Sequence, residues 1–571
     1  RAGARRQSAH PHDAAFRVQG NAQDGIVRVG IRQGRWTKRV RRVTDIVGNE
    51  TLRSLWSGLV NACGDRTFLI FQDRAGSACE YTYRAFDEEI NRTANLFLSL
   101  GIEHGERVAV QMHTCPEFMM CLFGLAKIGA VMVPMNEQYL AEEAAFVLER
   151  TGASCAVVEP AFAELYRTLV AQGGYLPKGM LIARGGSAGE DLAGIPVQPT
   201  DARGPRCFDR ARASQPAELR SLRPLSADDA AEIIFTSGTT SRPKGVVLTH
   251  ANMLFSGLYG DWQVSLTRDD RVFSTMPACH SNFQLAALTP VLTAGATLIV
   301  VEKYSASRFW KQVRDYRATV AQCVAMMLRT LLLQPEDPGE RDHCLREVLY
   351  FLAVSDEEKQ AFEERFGATI MNTYGSTESV GWVLTDPPRG PRRWPSVGRV
   401  GLGYQARIVH EDGVEAAPGE MGEIQVKGVR GRTVMKEYFN DPDETERAFT
   451  GDGWFKTGDK GYVDEDGWFF FVDRKANMIK RAGENISAGE VENVLECHPA
   501  IAAAAIGVPA PIRDQAVKAF VRLEAGARLT EEEVRAHCEE HLAPFKVPSL
   551  VEFVEDFPRT CSMKIEKKLL K

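Results

Sequence analysis

How this chain folds is indicated first by one stretch: Ala231-Glu232-Ile233-Ile234-Phe235-Thr236-Ser237-Gly238-Thr239-Thr240-Ser241-Arg242-Pro243-Lys244-Gly245. Its first five residues predict a strand. The glycines and hydroxyls that follow can turn backbone N–H and side-chain O–H donors toward an anion, and Lys244 adds a positive charge. The stretch therefore predicts a cradle for a polyphosphate.

Two other interpretations of this stretch are weaker. The Walker A pattern G-x-x-x-x-G-K-[ST] does not fit it. A solvated linker is the ordinary role of Ser/Thr/Gly runs, but a linker rarely follows a buried strand directly. It also rarely ends in Pro-Lys-Gly before another apolar run, here residues 246–248. Phosphate binding is therefore the favoured interpretation.

Around this stretch the chain alternates between strand and helix patterns. Apolar residues at helical spacing predict helices at 86–97, 117–128 and 142–150. Short apolar runs predict strands at 107–112, 130–134, 154–158, 298–301 and 348–353. Pro116 suits a helix start, and Gly101 and Gly129 suit helix ends. This order predicts right-handed βαβ units and parallel sheets covered on both faces.

The last hundred residues follow a different pattern. Helices are predicted at 489–498 and 530–542, and strands at 501–508, 518–524 and 549–555, which together indicate a compact α+β unit. The join is placed near residues 473–476. We therefore predict a basic extension over 1–44, a large N-terminal domain over 45–473 and a small C-terminal domain over 474–571. Residues 185–224 are predicted to form a surface excursion.

Composition and charge narrow the classes of function. The 571 residues are 44% hydrophobic and 25% charged, which excludes a disordered chain. A net charge of -6 argues against a dedicated nucleic-acid binder. The cysteines form no C-x-x-C pair, which favours a reducing compartment, the cytoplasm, and disfavours structural zinc. The apolar stretches 121–135 and 285–301 fall short of the ~20 residues that a membrane span needs.

The first 44 residues stand apart from the rest. They contain ten Arg and one Lys but only two acids, Asp13 and Asp24. A transit peptide, a basic arm and an upstream extension outside the fold all remain open. Nucleic-acid binding through this arm is one alternative, and salt-dependent binding that is lost with the arm would support it.

The stretch from Thr236 to Gly245 resembles the signature of the adenylate-forming superfamily, which contains acyl-CoA synthetases, adenylation domains and luciferases. Further motifs follow in the order of that superfamily: Tyr374-Gly375-Ser376-Thr377-Glu378, Thr457-Gly458-Asp459, Asp473-Arg474-Lys475, Gly483-Glu484-Asn485 and Pro558-Arg559-Thr560-Cys561-Ser562-Met563-Lys564. The resemblance covers residues 45–571. Within the superfamily, residues 301–306 and 392–396 look most like crotonobetaine/carnitine–CoA ligases.

This resemblance implies a fold and a reaction. The fold is α/β, a large N-terminal region with layered α/β sheets plus a small mobile C-terminal α+β domain. The reaction joins a carboxylate to the α-phosphate of ATP, releases pyrophosphate, and then transfers the acyl group to coenzyme A. ATP, Mg²⁺ and coenzyme A are the implied cofactors and co-substrates, and a small carnitine-type acid is the implied substrate.

The resemblance also assigns residues to the nucleotide. It places the β- and γ-phosphates on Thr236, Ser237, Gly238, Thr239, Thr240 and Lys244. Glu378 would hold Mg²⁺, Thr377 would contact the α-phosphate, and Tyr374, with Gly375 beside it, would face adenine. Asp459 and Arg474 would bind the ribose hydroxyls. The ordinary alternatives are a core role for Tyr374 and surface roles for the charged residues.

The remaining assignments concern the acid and the thiol. Lys564 would be the catalytic residue that bridges the substrate carboxylate and the α-phosphate, although a lysine in a basic tail is usually a solvated charge. His280 would gate an acyl pocket, with Phe283 and Trp382 as walls, although a lone histidine is more often structural. Gly483 would let the pantetheine arm of coenzyme A pass close to the backbone.

Two positions depart from the superfamily pattern, and several alternatives stay open. Met563 stands where a glycine is usual and could restrict the loop before the catalytic lysine. Ala476 stands where Asp or Lys is usual and removes a polar group that could stabilise one state of the hinge; whether either change lowers activity stays open. A fatty or aryl acid–CoA ligase, an enzyme that loads a carrier protein, and a nucleotide-sensing binding protein are the alternatives. The acid itself and the oligomeric state, a homo-oligomer included, are not determined by the sequence.

Overall fold

The two strands that flank the glycine- and hydroxyl-rich stretch belong to one mixed sheet. The computed structural model describes residues 45–172, 174–175, 177, 179–182, 206–236, 243–351, 354, 356–474, 478–481, 484–498, 500–510, 514–524, 526–557 and 570. Eight strands form this sheet, in the order β19 (Glu437–Tyr438), β9 (Lys244–Thr249), β8 (Ala230–Thr236), β4 (Val131–Pro134), β3 (Arg107–Gln111), β5 (Cys155–Val158), β6 (Gly179–Ile182) and β7 (Arg206–Cys207). Strands β8 and β9 are antiparallel neighbours, and Thr236 pairs with Lys244 in register.

A second sheet carries the Tyr374–Glu378 motif. Its nine strands lie in the order β16 (Arg399–Val400), β15 (Gly381–Thr385), β14 (Ile370–Ser376), β13 (Glu347–Phe351), β12 (Val320–Val324), β10 (Arg271–Ser274), β11 (Thr297–Val301), β1 (Thr67–Gln72) and β2 (Ala78–Thr82). The strands from β14 to β1 pair in parallel, as predicted for βαβ units.

Two smaller sheets complete the described strands. The first is antiparallel and consists of β17 (Gln405–Val409), β18 (Gly422–Lys427), β20 (Trp454–Val463) and β21 (Phe469–Arg474). The second belongs to the C-terminal unit and consists of β23 (Glu484–Ser487), β22 (Met478–Arg481), β25 (Asp514–Leu523) and β24 (Ile501–Ala510), with β26 (Leu550–Phe553) parallel to β25.

Helices cover the faces of these sheets. They are α1 (Leu52–Cys63), α2 (Tyr83–Ser99), α3 (Pro116–Ile128), α4 (Ala141–Thr151), α5 (Ala163–Ala171), α6 (Phe208–Ala213), α7 (His250–Val264), α8 (Ser281–Phe283), α9 (Thr289–Ala294), α10 (Ala306–Asp315), α11 (Ala325–Leu332), α12 (Asp356–Phe366), α13 (Pro442–Ala448), α14 (Ala488–Glu496) and α15 (Glu531–His541). A 3₁₀ turn spans Pro160–Phe162, and a π-helical segment, Gln284–Leu288, joins α8 to α9.

The local signals in the sequence place these elements well. Helix α3 begins at Pro116 and is closed by Gly129 in the left-handed conformation, with φ 77°, as predicted. The other predicted helices and strands are present with their ends displaced by a few residues. The predicted fold class is confirmed. The division at residue 473 stays a prediction.

One prediction about the surface is wrong in part. The composition of residues 185–224 predicts a surface excursion, but residues 206–213 form β7 and α6. Phe208, the first residue of α6, is fully buried in the main core. The composition of the segment, rich in Gly, Arg, Pro and Ser, does not indicate that Phe208 belongs to the core. Residues 183–205 lie outside the described residues.

One hydrophobic core cluster includes residues of both larger sheets, and a second, smaller cluster packs on the eight-stranded sheet. Trp56, Phe68, Phe86 and Phe123 are fully buried, and the centroid of the Trp56 ring lies 5.1, 5.9 and 5.2 Å from the other three. Aromatic clusters of this kind bury large apolar areas and fix the helices that carry them. The C-terminal unit has a core cluster of its own, to which Val491 and Val534 belong.

An acid is buried in β8, the strand that leads to the glycine-rich stretch. Glu232 is fully buried, and burial raises the pKa of its carboxyl from 4.5 to about 8, although the nearby Gln284 amide opposes part of that rise. The folded protein therefore keeps a proton there that the unfolded chain loses above pH 4.5. The contribution of the protonated Glu232 carboxyl to the free energy of unfolding is complete below pH 4.5 and is lost as the pH rises through about 8.

We expect Glu232→Gln to remove this part of the pH dependence of stability, because the amide is neutral at every pH. The variant should unfold at the same temperature as the wild type at pH 4.5, and be more stable by about 2–4 kcal/mol at pH 9. Thermal melts followed by circular dichroism at both pH values measure this. Glu465→Gln, at an exposed position, is the control, and its melting temperature should change with pH as that of the wild type does. An unchanged pH dependence in Glu232→Gln would contradict the assignment.

Candidate active site

A cavity of about 1420 Å³ is lined by residues from all four sheets. Thr236 comes from β8, Tyr374 from β14, Asp459 from β20 and Glu484 from β23. Pockets for one small ligand usually measure about 300–1,000 Å³, so this cavity has room for more than one. Motifs that lie as far apart in the sequence as Thr236 and Glu484 therefore meet in this cavity.

Most of the described candidate residues line this cavity. They are Thr236, Lys244, His280, Tyr374, Gly375, Thr377, Glu378, Trp382 and Asp459. Arg474 lies opposite Asp459 in the β20–β21 ladder, and its backbone is described. The other predicted site residues and the two departures from the pattern lie outside the described residues: Ser237, Gly238, Thr239, Thr240, Ala476, Gly483, Met563 and Lys564.

Phe283 does not occupy its predicted place. The sequence prediction makes it a wall of the acyl pocket, but its side chain is fully buried in the core and is not among the residues that line the cavity. The reason lies in the backbone at His280, which has the extended conformation of a helix cap, with φ -97° and ψ 149°. His280 and Phe283 therefore do not share one helical face, as a continuous helix would require.

The turn after β14 is tightly determined. A Cβ atom on Gly375 would lie 1.7 Å from the carbonyl oxygen of Gly381, so a side chain does not fit there. Val380, a β-branched residue, has φ 58°, a strained conformation. Ser379 Oγ accepts from the Ser376 backbone N–H at 2.8 Å, and the Tyr404 hydroxyl donates to the Ser379 carbonyl at 2.5 Å. These contacts fix the residues between them, which include Glu378.

Glu378 presents a carboxylate to the cavity beside a hydroxyl. Its Oε1 accepts from the Thr236 hydroxyl at 3.4 Å and from the Tyr438 hydroxyl at 3.1 Å. Within the described part of the chain, Oε2 has no hydrogen-bond partner. The neighbouring Thr377 hydroxyl lies 2.9 Å from that of Ser281. Two motifs predicted to contact phosphate therefore meet at Thr236 and Glu378.

Lys244 is already paired. Its Nζ forms an ion pair with Glu444 at the start of α13 and lies 5.2 Å from the centroid of the Tyr438 ring. Both charged side chains are largely buried. A phosphate that binds Lys244 therefore has to share this ammonium with Glu444 or displace it.

Tyr374 and Asp459 form one unit in the cavity wall. The Tyr374 hydroxyl donates to Asp459 Oδ2 at 2.6 Å, and its ring centroid lies 6.0 Å from that of Phe471. Asp459 is 3% exposed. An apolar ring face therefore lies next to a carboxylate that can accept from hydroxyl groups.

His280 contacts the C-terminal unit. Its Nε2 lies 2.9 Å from Glu484 Oε1, the residue after Gly483. Burial by itself lowers the pKa of His280, but the Glu484 carboxylate outweighs it and raises that pKa above its usual value. The neighbouring Cys279 is buried, and burial raises the pKa of its thiol, so it is a poor nucleophile.

An aromatic pair forms another part of the cavity wall. The Phe351 and Trp382 rings lie 5.0 Å apart at an interplanar angle of 39°, and both side chains line the cavity. Glu302 also lines it, but its carboxylate is paired with the Arg74 guanidinium at 2.8 Å. Asn282, nearby in the sequence, adds a neutral amide to the wall.

Comparison with known proteins identifies the family. Residues 59–439 match the family described as AMP-binding enzyme, and residues 490–564 match the AMP-binding enzyme C-terminal domain. The chain belongs to the AMP-binding enzyme family. This membership confirms the predicted superfamily and the predicted class, an AMP-forming acid–thiol ligase.

Relatives of this AMP-binding enzyme cover nearly all of its length. Two proteins named crotonobetaine/carnitine–CoA ligase, from Salmonella paratyphi A and Citrobacter koseri, are 48% identical over 528 residues. The alignments cover 92% of this chain and 100% of each relative.

Solved structures share the fold. An o-succinylbenzoate CoA synthetase from Bacillus subtilis has a TM-score of 0.77 at 25% identity, with 90% of this chain and 98% of that one covered. An amide bond synthetase from Marinactinospora thermotolerans has a TM-score of 0.77 at 25% identity, with 91% and 99% covered. In the described part of this AMP-binding enzyme, no helix has the length and apolar character to cross a membrane.

Sequence reasoning missed several residues at the site of this AMP-binding enzyme. The Tyr438 hydroxyl donates to Glu378, Glu444 pairs with Lys244, and Lys546, which lines the cavity, pairs with Glu143. Tyr438 and Glu444 follow no motif, and their role depends on the pairing of β19 with β9. Glu484 belongs to a quoted motif, but the motif gave no role for its carboxylate.

Proposed function

We propose that this AMP-binding enzyme is an ATP-dependent ligase that joins crotonobetaine, carnitine or γ-butyrobetaine to coenzyme A. The observation that carries the proposal is the meeting of Thr236, Glu378, Tyr374, Asp459 and His280 in one cavity. The full-length relatives named crotonobetaine/carnitine–CoA ligase support the substrate class.

The first half-reaction forms the acyl-adenylate. A carboxylate oxygen of the acid attacks the α-phosphorus of ATP, and the bond to the pyrophosphate oxygen breaks. Thr236, Lys244 and the residues from Ser237 to Thr240 bind the phosphates, Thr377 contacts the α-phosphate, and Lys564 compensates the charge of the pentacoordinate centre. Fixed donors and cations of this kind stabilise developing negative charge.

Other residues that line the cavity would hold the nucleoside. In this proposal the Tyr374 ring faces adenine, while Asp459 and Arg474 bind the ribose hydroxyls. Asp459 already accepts a hydrogen bond from Tyr374, which orients its carboxylate.

The donor set at Glu378 fits Mg²⁺. Its Oε2 has no partner in the described chain, and the Thr236 hydroxyl lies beside its Oε1. The described residues contain no group of three or more His, Cys, Asp or Glu that would hold a metal ion alone. A site with one carboxylate that leaves the other positions to water and phosphate is typical of Mg²⁺. When bound, Mg²⁺ supplies positive charge to the phosphate oxygens.

The second half-reaction transfers the acyl group. The thiol of coenzyme A attacks the acyl carbon, the bond to AMP breaks, and the thiol proton leaves to solvent. In this proposal the C-terminal unit, residues 474–571, changes position between the two steps. Lys564 enters the cavity first and the residues around Gly483 enter second. The contact between Glu484 and His280 supports the second of these arrangements.

A panel of acids tests the proposed substrate. We expect acid-dependent ATP–pyrophosphate exchange and CoA thioester formation to be fastest with crotonobetaine, carnitine or γ-butyrobetaine. Faster activation of fatty or aryl acids would replace this substrate class with the alternative one. Exchange without transfer to free coenzyme A would favour a carrier-protein thiol, and ATP binding without exchange would favour a nucleotide sensor. Cytoplasmic location stays a prediction.

Trp382 gives a sharper test of the trimethylammonium group. We expect Trp382→Leu to raise KM for crotonobetaine by about 3- to 30-fold, because a cation over an indole face gains attraction that an aliphatic side chain does not give. Steady-state kinetics with crotonobetaine and with 5,5-dimethylhex-2-enoate, its uncharged isostere, measure the effect.

Trp382→Phe is the matched control because it keeps an aromatic face. It should retain most of the preference for the charged acid over the isostere. If Trp382→Leu raises KM for both acids equally, the residue contributes shape and not attraction for the cation.

A further inference from the structure

A buried lysine joins the C-terminal unit to the large region beside the cavity. Lys546, in the loop between α15 and β26, is 3% exposed. Its Nζ donates to Glu490 Oε1 on α14 at 2.8 Å and also pairs with Glu143 Oε1 on α4. Buried charges persist where they are paired, so this ammonium fixes α4 against the loop.

The contact is built so that it can open. Arg481 Nη1 donates to the Phe545 carbonyl at 2.8 Å and to the Val547 carbonyl at 3.2 Å, which fastens the loop to β22 of its own unit. Glu143 Oε2 accepts from the Leu140 backbone N–H at 3.1 Å and caps α4. If the C-terminal unit moves, Lys546 keeps Glu490 and Glu143 keeps the Leu140 N–H. Neither charge is then left without a partner.

The same boundary carries the contact between His280 and Glu484. Lys546 and Glu484 both line the cavity, and both reach residues of the large region. An arrangement that closes the Glu143–Lys546 pair therefore also brings Glu484 to His280. The rim of this boundary has a third pair, His541 Nδ1 with Glu142 Oε1 at 3.0 Å, in which Glu142 is exposed and His541 partly exposed.

We propose that Glu143 and Lys546 are positioning residues for thioester formation. Their ion pair holds the C-terminal unit where Glu484 lines the cavity and contacts His280. Neither side chain needs to touch a reacting atom. The pair opens for adenylate formation, when Lys564 has to enter. This inference rests on the proposed two-step ligase reaction.

Glu143→Gln tests the pair one half-reaction at a time. We expect CoA transfer from supplied acyl-adenylate to slow by about tenfold, because the variant loses a charge-assisted contact across the boundary. Acid-dependent ATP–pyrophosphate exchange should stay within about twofold of the wild type or rise, since that step does not use the pair. Equal slowing of both steps, or no slowing of transfer, would overturn the proposal.

Two further variants separate positioning from folding. Glu142→Gln is the matched control, because exposed pairs contribute little, and both steps should stay within about twofold. Lys546→Met should slow transfer as Glu143→Gln does. Because the two residues form one contact, the double variant should be no slower than the slower of the two single variants. Additive losses would show that the two residues act separately and would overturn the proposal.

A thermal melt and the wild-type reaction complete the test. An unchanged melting temperature in Glu143→Gln with slow transfer supports positioning, whereas a lowered one with both steps slowed indicates a structural role and contradicts it. If the wild type shows no exchange with any acid, the proposed ligase function fails. If the wild type carries out both steps and the variants do not separate them, this inference fails alone.

Discussion

Lys564→Ala is expected to lower the rate of adenylate formation by about 10³-fold, because the lysine would neutralise charge at the pentacoordinate α-phosphorus. Thioester formation from supplied acyl-adenylate should continue at close to the wild-type rate, since that step breaks the bond to AMP without the lysine. Acid-dependent ATP–pyrophosphate exchange and CoA transfer measure the two steps. The expectation comes from the C-terminal motif, because Lys564 lies outside the described residues.

Lys568→Ala is the matched control for this prediction. It removes one positive charge from the same basic tail, and both steps should stay close to the wild-type rate. Loss of both half-reactions alike in Lys564→Ala would contradict the assignment of this lysine to adenylate formation.

Glu378→Gln is expected to slow adenylate formation by about 10²-fold, because an amide oxygen is a poorer ligand for Mg²⁺ than a carboxylate. The hydrogen bonds from Thr236 and Tyr438 have an acceptor in the variant as well, so the turn should keep its shape. The calorimetric affinity for ATP, measured with and without Mg²⁺, is a readout that does not depend on turnover. The wild type should bind ATP more tightly with Mg²⁺, and the variant should lose that gain.

Glu437→Gln is the control for charge, since Glu437 lies next to Tyr438 in β19 and has no role in the proposed chemistry. This variant should still bind ATP more tightly with Mg²⁺ than without it. A Glu378→Gln enzyme that retains the full Mg²⁺ effect would show that the ion is held elsewhere.

The sequence predicted the parts of this molecule that depend on local pattern. Helix α3 follows from Pro116, an apolar run and Gly129, and β8 follows from an apolar run before a glycine-rich stretch. The meeting of Thr236 with Glu378 was also predictable, because each belongs to a motif of its own.

Other features depend on contacts between distant segments. Lys546 and Glu143 are 403 positions apart, and nothing in the neighbourhood of either indicates the pair. Phe283 was misplaced because its direction depends on the extended backbone at His280, which composition does not show. Tyr438 reaches Glu378 through the two-residue strand β19, which is too short for periodicity to detect.

The π-helical segment Gln284–Leu288 makes the orientation of α8 relative to α9 depend on the number of residues between them. Such segments hold one residue more than an α-helix would use. A deletion of one residue there would restore regular winding and rotate α8, with His280 at its start, by about 100° relative to α9. Insertions and deletions in this segment therefore redirect the histidine away from Glu484, whereas a substitution leaves the number of residues in the helix unchanged.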